Sequence, residues 1–249
     1  MIAIKTNNLR KEYKDIVAVN DLNLEIKEGE LFSLLGVNGA GKTTTIKMLS
    51  TLLKPTSGDA SIYDYSINKD ENKIKEIIDI SMQETAVARK LTVSENIDFY
   101  AKLQGLSNDE IKKRKEYIYN AFSLNQVSNK RASKLSGGWQ RKLSIALAIV
   151  TKPKILFLDE PTLGLDVIAR RELWKVINDL KKDMTIILTT HYMEEAEALS
   201  DRIGIMKDGN LLFVGNKEEL FNKTNKNNVE DAFIEIVSGG TLWIHLKEY

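Results

Sequence analysis

The 249-residue chain has no cysteine, which excludes disulfides and thiolate-held metal sites and fits a reducing compartment. It has only two histidines, His191 and His245, too far apart in sequence to suggest a metal pair. Neither sign of charge dominates: 36 Lys and Arg face 35 Asp and Glu, a net of +1, so no broad pull toward nucleic acid or an anionic membrane is expected. No apolar run approaches the roughly 18–20 residues that span a bilayer. The opening MIAIKTNNLRKEYK lacks the apolar stretch of a secretory leader, so none is expected. Internal repeats and low-complexity linkers are also missing. What is there is ordinary for a soluble globular protein: 43% apolar and 29% charged residues, in a length that suits one large domain, with or without a subdomain.

The first thirty residues read as strands. IAIKTNNLRKEY and VAVNDLNLEI alternate in part, and KEGE is a turn signal. LFSLLG is a short apolar run suited to a buried strand, and after a Gly-rich stretch KTTTIKMLSTLL carries Ile46, Leu49 and Leu53 at helical spacing. KPTSGDASIYDYSI adds a turn and a strand. From Leu91 the character changes. Thr92 with Glu95, and Ser107 with Glu110, have capping-box spacing ahead of helical patterns. With GWQRKLSIALAIV these suggest a helical insertion over about 84–150, inside an α/β core that resumes with the strand KILFLDEP. A helix (LDVIARRELWKVINDLKKD), a strand (MTIILTTH), a short helix (YMEEAEALSD) and a hairpin about Asp208-Gly209 follow. The expected domain is 1–228, with a helix and tail over 229–249.

Residues 36–43, GVNGAGKT, fit the phosphate-loop pattern between a strand and a helix. Gly36, Gly39 and Gly41 let the backbone approach a phosphate, and the N–H groups of Val37, Asn38, Ala40 and Thr44 belong to the same wrap. Lys42 supplies a point charge, and Thr43 a hydroxyl for Mg²⁺ beside a helix N-terminus. Asp159 ends an apolar strand, where it could hold Mg²⁺ through water. Alternation would point Glu160 the other way unless the chain turns there, and Pro161 enforces such a turn. Glu160 could then deprotonate an attacking water, whereas without the phosphate loop the pair would read as a solvated acidic strand end. His191 could reach a γ-phosphate or cap local backbone. Gln83 could reach Mg²⁺ or the water, or do neither. Tyr13 could stack on a base or simply pack.

A second anion seat stands at LSGG, 135–138. Ser136 is placed to cap a helix whose apolar face is Leu143, Ala146, Leu147 and Val150, and Gly137 and Gly138 permit close approach. That anion cannot easily share the first cradle, because the intervening helices would have to fold over it.

Together these stretches resemble the ATP-binding cassette (ABC) family of transporter ATPases, over nearly the whole chain from Tyr13 to about Gly215. GVNGAGKT is similar to Walker A and ILFLDE to Walker B. Gln83 matches the Q-loop glutamine, LSGG the signature, PTLGLD the D-loop, and His191 the switch histidine. The resemblance implies an α/β fold, a P-loop NTPase core with an N-terminal antiparallel β-subdomain and the inserted helices. It implies ATP and Mg²⁺, with Thr43, Gln83 and Asp159 toward the metal, Glu160 and His191 catalytic, and Tyr13 on adenine. It also implies a head-to-tail pair of chains in which Ser136, Gly137, Gly138 and Asp166 meet the opposite chain's ATP. The partners implied are membrane-spanning subunits and a second ATPase chain, not nucleic acid, at the cytoplasmic face of a membrane. The wording is most similar to bacterial exporters of drugs, peptide antibiotics or sodium. Two departures stand out: Trp139 where Gln is usual, and Leu163 where Ser is frequent. A soluble family member acting on DNA or ribosomes is the alternative, and an unrelated phosphate-loop kinase or GTPase a third.

Overall fold

The structure, a computed structural model, describes residues 1–239. The apolar run at 31–35 forms β4 (Leu31–Leu35), buried along its whole length. It lies within a six-stranded sheet with β7 (Ile78–Ser81), β8 (Ile155–Asp159), β9 (Thr185–Thr190), β10 (Arg202–Lys207) and β11 (Asn210–Gly215), in the order β11-β10-β4-β9-β8-β7. All pairings are parallel except β10–β11, the hairpin about Asp208 and Gly209. Alternate residues of each strand feed opposite faces. In β8, Leu156 and Leu158 join the core that packs the inserted helices, while Ile155 and Phe157 join the core beneath the N-terminal sheet. Cover on both faces is what a parallel sheet requires.

The second sheet is antiparallel, in the order β2-β1-β5-β6 with β3 also on β1. Its strands are β1 (Ile2–Tyr13), β2 (Ile16–Leu22), β3 (Glu25–Lys27), β5 (Ser57–Ile62) and β6 (Tyr65–Ser66). The stretch VAVNDLNLEI, expected to be one strand, is split between β2 and β3. The Thr6 hydroxyl enters the break, donating to Leu22 O and accepting from Leu24 N, both at 2.8 Å, in place of a ladder bond.

Helix α1 (Lys42–Leu49) stops a turn short of Leu53, because Thr51 adopts a left-handed φ of 61°. A short α2 (Glu71–Lys75) precedes β7. Between β7 and β8 come α3 (Val93–Leu103), α4 (Asn108–Phe122), two 3-10 turns and α5 (Gly137–Ala148). Both capping boxes form, at Thr92/Glu95 and Ser107/Glu110. Helix α5 differs from the one-faced helix expected: every residue from Arg141 to Ala148 is buried, since β7, α3, α4 and α6 (Val167–Leu180) surround it. Helices α7 (Met193–Leu199), α8 (Lys217–Thr224) and α9 (Val229–Ser238) cover the same face of the sheet as the inserted helices, but at β4, β10 and β11, where Leu35, Ile203, Ile205 and Phe213 point away from the N-terminal sheet. The tail expected after α9, with His245, lies outside the described residues. Among the described residues no helix is long and apolar enough to cross a membrane.

Candidate functional site

The carboxyl ends of β4, β7, β8 and β9 deliver, in turn, Gly36, Met82-Gln83, Asp159-Glu160 and His191 to one rim of the sheet, the usual ligand side of an open parallel sheet. The loop after β4 is shaped by its glycines. Gly41, the residue before α1, has φ 102°, and a Cβ there would lie 2.3 Å from Ala18 O. A Cβ on Gly36 would lie 2.5 Å from Met206 O. Both clashes are with backbone, so neither is relieved by a rotamer change.

A cavity of about 390 Å³ opens at this rim. It is lined by Asn38, Gly39, Ala40, Gly41, Lys42, Thr43, Thr44, Gln83, Glu160 and His191, all expected from the sequence, and by Ala18 and Leu163. Gly36 and Val37 lie behind it, where their carbonyls accept from Lys42 Nζ at 2.7 and 3.2 Å. Ala18 was missed. A small residue on β2 carries no chemical signal, and only the antiparallel sheet brings it here. Tyr13 is not among the lining residues: it is exposed at the end of β1, with Lys11 Nζ 5.3 Å from its ring centroid.

Within the cavity the charges are paired. Lys42 Nζ lies 3.4 Å from Glu160 Oε1, and both side chains are buried. The other oxygen of Glu160 bonds His191 Nδ1. The turn that brings Glu160 here was expected from Pro161, but it is made one residue earlier. Glu160 itself has φ 49°, and its N–H donates to both O and Oγ1 of Thr189 at 3.1 Å. A non-glycine residue held in that region stores about 1–3 kcal/mol of backbone strain, a frequent feature of functional sites.

Asp159 is fully buried. Its Oδ1 accepts from Thr43 Oγ1 at 3.0 Å and from Thr189 Oγ1 at 2.5 Å, while Oδ2 is buried with no hydrogen-bond partner. An orphaned carboxylate oxygen beside a threonine hydroxyl is a hard-oxygen donor set, and it fits Mg²⁺. Among the described residues no group of three or more His, Cys, Asp or Glu side chains could form a metal cage. Any Mg²⁺ would therefore take the rest of its shell from phosphate and water.

The second seat stands apart, and none of its residues lines the cavity. Ser136 occupies the N-cap position of α5, but its side chain makes no capping bond, contrary to expectation. The nearby Gln140 side chain turns instead to Leu135 O, at 3.0 Å. The helix N-terminus thus keeps N–H groups without a side-chain acceptor. Gly137 is exposed, and a Cβ there would meet nothing within 4 Å, whereas one on Gly138 would come 3.1 Å from Ala169 Cβ of α6. Asp166 caps α6, accepting from Ile168 N and Ala169 N at 2.9 Å through one oxygen. An Asp directly before a helix is the sequence signal for that role. Trp139 packs against the core with Lys142 Nζ 4.7 Å from its ring centroid. Behind Glu160, burial raises the Glu195 carboxyl above its usual range; it accepts from Thr162 Oγ1 at 2.8 Å and Trp174 Nε1 at 2.9 Å.

Comparison with known proteins agrees with this geometry. The family model described as ABC transporter matches residues 19–163. The human phospholipid-transporting ATPase ABCA3 is 44% identical over 216 residues, covering 85% of this chain but 13% of that protein. This chain therefore spans about an eighth of the length of that curated relative. Among solved structures, cbiO1 from Clostridium perfringens, part of the ABC transporter complex cbiONQ, is 31% identical with a TM-score of 0.82, over 100% of this chain and 99% of that one. The dimeric ATP-binding cassette MJ0796, in a post-hydrolysis state with ADP and Pi, is 28% identical with a TM-score of 0.76, over 86% of this chain and 98% of its own.

Proposed function

This chain belongs to the ABC transporter family, as an ATP-binding cassette, and from that premise we propose that it hydrolyses ATP to drive export through membrane-spanning partners. The observation that carries the chemistry is the convergence of Lys42, the Thr43–Asp159 pair and the Glu160–His191 pair on one cavity. Lys42, already stripped of most water, exchanges Glu160 for the β- and γ-phosphates. Freed from Lys42, the Glu160 carboxylate accepts the proton of the attacking water, and His191 orients the carboxylate or meets the γ-phosphate. Gln83 lies at the same rim to position that water. Mg²⁺ at Thr43 and Asp159 would neutralise charge developing on the phosphates.

The signature residues complete the site in trans. Ser136 has an uncapping hydroxyl, and Gly137 lacks a side chain that its own fold would accommodate. Both features suit an anion brought by a second copy. ATP then serves as glue between two chains, and its hydrolysis releases them, an open–close cycle. We place the chain at the cytoplasmic face of a membrane, held there by its partners. The A-family relative, named for phospholipid transport, favours a lipid-like cargo and does not single out drug, peptide-antibiotic or sodium efflux. The near-neutral charge does not favour the alternative on DNA or ribosomes.

The test is calorimetry and phosphate release with ATP and Mg²⁺. The wild type should bind and turn over ATP, and Lys42→Ala should weaken binding by at least about tenfold, the loss of a charge-assisted phosphate contact. Binding unchanged in Lys42→Ala would remove the cradle from the account.

A further inference from the structure

Arg141 is the most deeply placed cation of the inserted helices that has no anionic partner. It sits on α5, one turn after Ser136, with 4% of its surface exposed. No carboxylate among the described residues forms an ion pair with it. Its guanidinium donates only to main-chain oxygens. Nε donates to Pro161 O at 2.8 Å, Nη2 to Asp159 O at 3.0 Å, and Nη1 to Met82 O and, at 3.4 Å, to Gln83 O. Burial pushes its pKa down to about 10, so the group remains charged at neutral pH.

The four carbonyls are not scattered. Asp159 O and Pro161 O belong to the residues on either side of Glu160, whose left-handed turn aims its carboxylate at Lys42. Met82 O and Gln83 O belong to the peptide groups about Gln83, where β7 has ended and no ladder holds the chain. A buried cation is expensive unless every donor is matched, and backbone oxygens can match it only if those segments stay in place. The planar fork suits this task, because its N–H groups diverge toward separate acceptors; an ammonium projects from one point.

We propose that Arg141 is a positioning residue for ATP hydrolysis, clasping the main chain on both sides of Glu160 and at Gln83 from the helix that carries the second anion seat. This deepens the ATPase reading and rests on it. Arg141 touches no substrate, and its effect passes through the placement of Glu160 and Gln83. The helix that meets the opposite chain's nucleotide is thereby tied to the groups acting on its own.

Two measurements on the 249-residue chain test this, with Arg141→Gln and Arg141→Lys. In steady-state hydrolysis, Arg141→Gln should lower kcat by at least about tenfold while ATP affinity by calorimetry stays within about twofold, since misplacement by an ångström harms chemistry more than binding. Arg141→Lys should fall between. In hydrogen exchange without nucleotide, both variants should speed exchange by about tenfold or more in peptides spanning 82–85 and 160–165, with β9 unchanged. The proposal is overturned by kcat within threefold of wild type in a folded Arg141→Gln, by parallel loss of kcat and affinity, or by exchange that rises uniformly. If Arg141→Gln does not fold, the exchange pattern of Arg141→Lys decides: faster exchange confined to 82–85 and 160–165 supports the clasp, and a uniform rise or none overturns it. A wild type without ATP turnover would refute the ATPase reading, and the exchange pattern would still judge the clasp.

Discussion

Replacing Gly137 with Ala separates what this fold needs from what a second chain needs. Gly137 is the first residue of α5 and is exposed, and an added Cβ meets nothing within 4 Å. Alanine exceeds glycine by about 0.5–1 kcal/mol inside a helix and by less at its first position. For a chain of this size that amounts to a rise in Tm of about 0–4 °C, and no fall. In the proposed two-chain site the new methyl nonetheless occupies the face where a partner-bound γ-phosphate comes within about 2.9 Å of free N–H groups. Holding the phosphate off by roughly an ångström should cost on the order of a hundredfold in turnover. Thermal unfolding and phosphate release measure the two halves, and ATP affinity of the separate chain should be unchanged. Turnover like wild type would show that the face of Gly137 meets no nucleotide. A fall in Tm beyond about 4 °C would show that the added methyl disturbs this fold.

Gly41→Ala should behave in the opposite way. Its φ of 102° and the 2.3 Å approach to Ala18 O predict a loss of about 2–5 kcal/mol with ATP binding lost as well, read by denaturant unfolding and calorimetry; a loss below about 1 kcal/mol would contradict the clash. Asp79, on β7, accepts from Ile80 N at 2.7 Å, and burial pushes its carboxyl up to about 7. Between about pH 4 and 7 the folded chain holds a proton that the unfolded chain has lost, so stability falls as pH rises through that window and levels off above it. Asp79→Asn should therefore stabilise by up to about 4 kcal/mol at pH 8 and scarcely at pH 4, and an equal effect at both would exclude titration as the cause.

Much of this architecture was legible. Gly36 to Thr43 carries its geometry in its spacing, because each glycine answers a backbone clash or a left-handed φ. The capping boxes at Thr92 and Ser107 mark their helices by the same local logic. The illegible parts depend on contacts distant in sequence. Arg141 reads as one polar residue on an apolar helix, and only the burial of α5 on all sides gives it four carbonyls. Ala18 enters the cavity because β2 folds back on β1. The strand break at Asn23 depends on a hydroxyl from Thr6, and the turn expected of Pro161 falls on Glu160 because Thr189 supplies two acceptors for its N–H. Trp139, a departure from the family pattern, is accommodated through Lys142 and the core beside α5.

The shared-nucleotide claim is tested most directly by sedimentation of Glu160→Gln with and without ATP and Mg²⁺. This variant keeps the Lys42 cradle but cannot accept the water's proton, so ATP should persist between two chains. The variant should sediment as a monomer without nucleotide and as a stable dimer with it, and the dimer should be abolished when Ser136 is also replaced by Trp. A variant that binds ATP and sediments as a monomer at saturation would contradict the account.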